Sequence, residues 1–134
     1  MDWTLEVVVI PVTDVDRARA FYVDQLGFNI DVDTNTDEMR VVQLTPPGSG
    51  CSITLGPVVV DEEPKDSARL QLCVTDITAA RAQLVERGVQ VSEVTNFAGG
   101  GPYDEFVFFQ DPDGNNWAVQ EVPALRQPRE AGAG

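Results

Sequence analysis

A nine-residue segment occurs twice, with small changes, in this chain of 134 residues. VTDVDRARA at positions 12–20 returns at positions 74–82 as VTDITAARA, with six of the nine letters unchanged. Self-similarity at this period indicates two copies of one supersecondary unit, each too small to bury its apolar face alone. The repeat therefore predicts two similar halves that pair within one domain.

Both copies of the segment predict the start of a helix. Asp14 and Asp76 can each accept hydrogen bonds from the free N–H groups of a first helical turn, and apolar residues follow them at helical spacing. Gly27 and Gly88 then stand where a left-handed C-terminal cap is needed. Each half therefore contains one predicted helix of similar length.

Strand-like runs surround the two helices in the same order. One run precedes each helix and three extended segments follow it. The predicted strands are residues 6–12, 29–32, 39–44 and 51–55 in the first half, and 69–74, 90–94, 105–110 and 116–122 in the second. The turns TPPG and DPDG each have proline where it pre-sets the turn and glycine at the end. The pattern predicts an α+β fold.

The domain organisation follows from the repeat. We expect one domain over residues 1–134, with module one at 1–56, a linker at 57–67, module two at 68–122 and a loose tail at 123–134. Cys51 and Cys73 lie in separate strand-like segments, which favours reduced, buried thiols over a disulfide.

The net charge of the chain limits the classes of molecule that it is expected to bind. Nine basic and 22 acidic residues give a net charge of −13, and histidine is absent. Nucleic acid and membranes are therefore not expected partners, because phosphate binding needs clustered Lys and Arg. No membrane-length apolar run or signal-peptide pattern is present, so a cytoplasmic location is expected. Without histidine, the chain lacks the commonest general base and metal ligand.

Three segments together resemble the vicinal oxygen chelate superfamily, which includes glyoxalase I, extradiol dioxygenases, fosfomycin-modifying enzymes and bleomycin-resistance proteins. They are PVTDVDRARAFYVDQLGF, VTDITAARAQLVERGV and FVFFQDPDGNNWAVQE. The resemblance covers about residues 5–122 and implies two βαβββ modules that curl a mixed sheet into a cup. It also implies a homodimer.

The resemblance also implies where a metal would bind. In metal-using members, the first and last strands of each module supply the ligands, and those positions correspond here to Val7, Thr54, Arg69 and Ala118. A divalent cation prefers carboxylate, imidazole or thiolate ligands. We therefore expect no metal and no other cofactor.

The same strands should line a ligand pocket. Period-two alternation separates an apolar face, directed at the helices, from a face with small or polar residues that leaves room for a ligand. The candidate ligand-binding residues are Val7, Val9, Thr54, Arg69, Gln71, Phe106, Phe108, Ala118 and Gln120. No catalytic residue is assigned.

Purely structural explanations stay open for several of these residues. Arg69 is explained as well by a structural salt bridge or by an exposed arginine at the cup rim. Phe106 and Phe108 are explained by core packing as well as by ligand stacking. Glu6 and Glu121 are out of register with the metal positions, which favours ordinary surface charges.

Three functions follow from these observations. The first is a metal-free protein that binds a small drug-like or cationic ligand, as in the bleomycin-resistance branch. The second is a metal-dependent lyase or dioxygenase that uses non-standard ligands such as Glu6, Gln71 and Glu121. The third is a metal-free enzyme with Asp, Glu or Tyr103 as acid or base.

Overall fold

The computed structural model describes residues 1–56, 68–96 and 105–122. The predicted linker (57–67), the predicted tail (123–134) and Tyr103 lie outside the described residues. Within the described ranges, no helix is both long and apolar enough to cross a membrane.

Two βαβββ modules make up the described chain, which confirms the predicted α+β class. The first contains β1 (Val7–Pro11), α1 (Val15–Ala20), β2 (Asn29–Asn35), β3 (Arg40–Thr45) and β4 (Ser52–Gly56). The second contains β5 (Arg69–Val74), α2 (Ile77–Glu86), β6 (Thr95–Asn96), β7 (Glu105–Gln110) and β8 (Asn116–Glu121). The four-stranded sheets have the orders β1-β4-β3-β2 and β5-β8-β7-β6, and their first and last strands pair in parallel.

The aspartate of each repeated segment caps its helix, as predicted. The side chain of Asp14 accepts a hydrogen bond from the Arg17 N–H, and that of Asp76 accepts one from the Ala79 N–H, each at 3.0 Å. Gly27 and Gly88 have φ of 77° and 81°, the left-handed conformation that favours glycine. After α1 the chain continues as a π-helical turn (Phe21–Gln25), which the apolar spacing did not predict.

The strand predicted at residues 90–94 is wrong. Only Val91 in this range forms a β-bridge, to Phe109, and the short β6 follows it. The physical reason is that the Ser92 hydroxyl accepts a hydrogen bond from the Phe108 N–H at 2.9 Å. A side chain thus replaces a backbone carbonyl in the ladder at this point.

One apolar core joins the two modules. Tyr22 and Phe28 pack against Trp117 of β8, and Phe21 packs against Phe109 of β7. The apolar faces of the strands are therefore buried or, as for Leu70, Leu72 and Val74 of β5, half-buried against the core. The opposite face is more open, and this corrects the expectation of buried thiols: Cys73 on β5 is exposed, and Cys51 is half-buried.

Candidate functional site

The open face of the second sheet presents three rows of side chains. Residues in register on β5, β8 and β7 point to the same side of the sheet, and every second row shares that side. The rows on the face away from the core are Arg69/Asn116/Gln110, Gln71/Ala118/Phe108 and Cys73/Gln120/Phe106.

A cavity of about 700 Å³ opens on this face. Its size lies in the range of roughly 300–1,000 Å³ that is usual for small-molecule sites. Four of the predicted site residues, Arg69, Gln71, Phe108 and Ala118, line it together. Ala118 lies at the centre of the three rows, where its small side chain leaves the floor of the cavity open.

Arg69 is exposed at the first position of β5. Within the described ranges, the other arginines have partners: Arg17, Arg19, Arg40 and Arg81 form ion pairs, and Arg87 donates to the Leu26 carbonyl. Arg69 has no ion pair or hydrogen bond to any described residue. The structural salt bridge that the sequence left open is therefore absent from the described part of the chain, and the guanidinium is available to a ligand at the cavity edge.

The two phenylalanines of β7 form a flat apolar surface beside the cavity. The rings of Phe106 and Phe108 are stacked, with centroids 6.0 Å apart and planes only 5° from parallel. Phe108 lines the cavity and keeps 39% of its surface exposed. That exposure distinguishes it from Phe109 on the same strand, which also borders the cavity but is only 4% exposed and packs in the core.

Amide side chains surround Ala118. The Gln71 amide donates to the Gln120 carbonyl oxygen at 2.7 Å, and the Gln110 amide donates to that of Asn116 at 2.9 Å. Gln71, Gln110 and Asn116 line the cavity and keep further donor or acceptor capacity, because one amide group can make several hydrogen bonds. The cavity floor can therefore bind polar edges of a ligand on both sides of Ala118.

The remaining predicted residues lie outside this cavity. Phe106 and Gln120 occupy the next row of the same face, whereas Val7, Val9 and Thr54 belong to the first sheet. Val7 and Val9 are 42% and 59% exposed, and Thr54 is buried at the centre of the first sheet. In the described part of the chain, the two groups of residues thus do not line one cavity together.

The positions at which the superfamily carries metal ligands do not fit a divalent cation. Val7 and Ala118 have no donor atom, Arg69 is cationic, and Thr54 offers only a hydroxyl. Within the described ranges no group of three or more Asp, Glu or Cys residues is placed to hold a metal. The carboxylate of Glu121 accepts from the Ile77 N–H at 3.0 Å and so caps α2. It does not join Gln71 in a ligand set.

A buried polar network lies behind the cavity. The Tyr22 hydroxyl donates to Asp111 Oδ2 at 2.7 Å and accepts from Trp117 Nε1 at 3.0 Å. Burial, followed by the hydrogen bond to Asp111, raises the pKa of Tyr22 far above its usual value. The Asn115 side-chain amide donates to Asp111 Oδ2 at 2.8 Å and to the Pro11 carbonyl at 2.7 Å. The network ties β1 to the DPDGN turn between β7 and β8.

Besides the buried Asp111, sequence reasoning missed three polar residues that line the cavity. They are Gln90, Gln110 and Asn116. The last two could have been found, because period-two alternation places Gln110 on the face of Phe108 and Asn116 on that of Ala118. Gln90 had no such signal, since it lies in a segment that is not a regular strand.

Two βαβββ modules with a shared core and a cavity on an open sheet face define a paired-module protein. The chain belongs to the Glyoxalase/Bleomycin resistance protein/Dioxygenase superfamily, whose family model matches residues 4–119. The superfamily resemblance drawn from the sequence is therefore confirmed.

Individual relatives agree with this assignment. A glyoxylase-like domain-containing protein from Didymella fabae is 31% identical over 118 residues, which cover 85% of this chain and 90% of the relative. The crystal structure of TnmS3, an antibiotic binding protein from Streptomyces sp. CB03234, superposes with a TM-score of 0.74 at 31% identity, covering 90% of this chain and 96% of that one. A superfamily member from Sphaerobacter thermophilus has a TM-score of 0.72 at 29% identity, with 90% and 98% covered.

Proposed function

We propose that this chain is a metal-free small-molecule-binding protein whose ligand site is a cup shared by two copies. The observation that carries the proposal is the cavity of about 700 Å³ lined by Arg69, Gln71, Phe108 and Ala118. It combines an aromatic surface, hydrogen-bonding amides and a small central residue, which are features of binding sites. TnmS3, to which the chain is similar, is an antibiotic binding protein.

A dimer would complete the cup. Alternate residues along the N-terminal segment and β1 are apolar and exposed: Trp3, Leu5, Val7 and Val9. Within the described residues β1 pairs only with β4, and β5 only with β8, so each sheet has an open edge at its first strand. Open edges and contiguous apolar surface are usually covered by a partner. A second copy is the proposed cover, with its first sheet facing the cavity of the second sheet.

Light scattering tests the dimer. The proposal expects twice the chain mass of 14.6 kDa at micromolar concentration. Val9→Asp should shift the population toward monomer, because it places a carboxylate in the apolar contact. Val85→Asp is the matched control, since Val85 is an exposed valine on α2 that takes no part in the proposed contact. A monomeric wild type would contradict the shared cup.

Ligand and metal measurements test the binding function. A ligand at about one hundred times its Kd should stabilise the fold by about 2.7 kcal/mol, which a thermal-shift screen detects. Elemental analysis should find far less than one transition metal per chain after purification. About one tightly bound Zn, Ni, Mn or Fe per chain would instead support the metal-dependent lyase or dioxygenase. Turnover of an identified ligand without metal would support the third hypothesis, a metal-free enzyme.

The cytoplasmic location stays a prediction.

A further inference from the structure

The overall charge and the cavity charge point to ligands of opposite sign. A net charge of −13 favours attraction of cations over long range. The described residues that line the cavity include one arginine and one carboxylate, Arg69 and Asp111. Which of these two groups a ligand would meet therefore decides the sign of charge that the cavity accepts.

Asp111 is not available to a ligand. It is buried, and its Oδ1 accepts from the Asp113 and Asn115 N–H groups at 2.9 and 2.8 Å. Its Oδ2 accepts from the Tyr22 hydroxyl and the Asn115 amide at 2.7 and 2.8 Å. Four donors surround this carboxylate on the core side of the sheet. Its charge is compensated there, and it has no free oxygen to direct at a cation in the cavity.

Arg69 is the charged side chain that a ligand would meet. It is exposed and has no partner among the described residues, in contrast to the paired arginines elsewhere in the described chain. A guanidinium that loses water on ligand binding needs an oxygen acceptor in return, and a carboxylate or phenolate supplies the strongest such bond. A ligand cation would be repelled by Arg69 and would find only neutral partners, the amide oxygens and the Phe108 ring.

The spacing of Arg69 and Phe108 sets the size of the ligand. The two residues lie two strands apart and in adjacent rows, which is two residues along the strand, so their Cα atoms are separated by about 12 Å in a regular sheet. Ala118 lies between them and leaves the space above the sheet free. A ligand whose ring covers Phe108 while its acidic group meets the Arg69 side chain therefore needs roughly two fused rings.

We propose that the cavity selects a flat aromatic anion, an aromatic carboxylate or acidic phenol, that stacks on Phe108 and binds Arg69 through its acidic oxygen. This inference rests on the proposed binding function and names the class of ligand for that site. On the cup face that a second copy would add, Val7, Val9, Thr54 and Gln43 carry no charge, and the carboxylate of Asp31 lies on β2, at the far edge of that sheet from β1, where it accepts from the Thr45 hydroxyl.

Three probes with one ring system and different charges test the inference. They are 2-naphthoate, the neutral 2-naphthamide and the cationic 2-naphthylmethylammonium, titrated into the full chain and followed by amide chemical shifts and calorimetry. We expect 2-naphthoate to perturb β5, β7 and β8 and to bind at least about tenfold more tightly than the ammonium probe.

Variants separate the charge from the ring. Arg69→Gln should weaken 2-naphthoate by about tenfold or more and change 2-naphthamide by less than about threefold. Arg19→Gln is the control. It also removes one arginine charge, but on α1 of the first module, which does not line the cavity, so it should leave all three affinities nearly unchanged. Phe108→Leu should weaken all three probes alike, because it removes the flat ring and no charge. Circular dichroism confirms that each variant is folded.

The outcomes distinguish this inference from the function on which it rests. Tighter binding of the ammonium probe, or 2-naphthoate binding that Arg69→Gln leaves intact, would overturn the aromatic anion and keep the binding protein. If neither the three probes nor a broad fragment library perturbs β5, β7 and β8, both proposals fail.

Discussion

Replacing Tyr22 with phenylalanine tests the polar network that joins the two modules. The change removes one hydroxyl and keeps the ring that packs against Phe28 and Trp117. It deletes the 2.7 Å hydrogen bond to Asp111 and the 3.0 Å hydrogen bond from Trp117 Nε1, both buried. The indole N–H then has no acceptor inside the core.

The magnitude follows from these two bonds. A hydrogen bond to a charged acceptor contributes about 1.5–3 kcal/mol, and a buried donor left without a partner costs about 1–3 kcal/mol. The bonds share one hydroxyl and are not additive, so we expect the free energy of unfolding to fall by about 3 kcal/mol. For a domain of this size that lowers Tm by roughly 10 °C.

Urea unfolding at fixed protein concentration, followed by tryptophan fluorescence, measures the loss. The control is a double-mutant cycle with Asp111→Asn, in which Tyr22→Phe should cost about 1 kcal/mol less than in the wild-type background. A loss below about 0.5 kcal/mol, or no coupling in the cycle, would refute the claim that this network stabilises the contact between modules.

The same variant gives a test at alkaline pH. Burial raises the pKa of Tyr22 in the folded chain, so above pH ~10 the unfolded chain releases this proton while the folded chain keeps it. The wild type should therefore lose stability with rising pH by up to about 1.4 kcal/mol per unit more than Tyr22→Phe does. Equal slopes for the two proteins above pH 10 would contradict a buried, neutral Tyr22.

Three further substitutions test the fold and the cavity. Gly27→Ala should cost about 1–2 kcal/mol by urea unfolding, because φ is 77° and the new Cβ would lie 3.0 Å from Arg87 Nη1, whereas Gly50→Ala, which meets nothing within 4 Å, should be nearly neutral. Asp33→Asn should lower stability at pH 7, since hydrogen bonding from Arg40 holds the pKa of Asp33 below its usual value; the difference from wild type should fade as pH falls below ~4, and its persistence at pH 2 would contradict the ion pair. Ala118→Leu should fill the cavity floor and abolish probe binding in calorimetry while the chain stays folded, and unchanged affinity would place the ligand elsewhere.

Much of the secondary structure was determined by the sequence alone, because its signals are local. The repeated Asp caps and the terminal glycines act within one or two helical turns, and both helices begin after the predicted aspartates. Period-two alternation separated the buried Trp117 from the cavity residue Ala118 because adjacent residues of a strand must face opposite sides of a sheet. The same rule could have added Gln110 and Asn116 to the predicted site.

Three features were decided only by the tertiary structure. The contact of Tyr22 with Asp111 joins residues 89 positions apart, and no local pattern encodes such a pairing. The segment after α2 looks strand-like, but the Ser92 side chain replaces part of its ladder. The sign of the charge that a ligand meets in the cavity was also decided by the tertiary structure. In the composition, Asp111 and Arg69 contribute one negative and one positive charge of equal size. Folding surrounds the carboxylate with four donors and leaves the guanidinium exposed, because the turn after β7 buries Asp111 beside Tyr22 and Asn115, whereas Arg69 lies on the open face of β5.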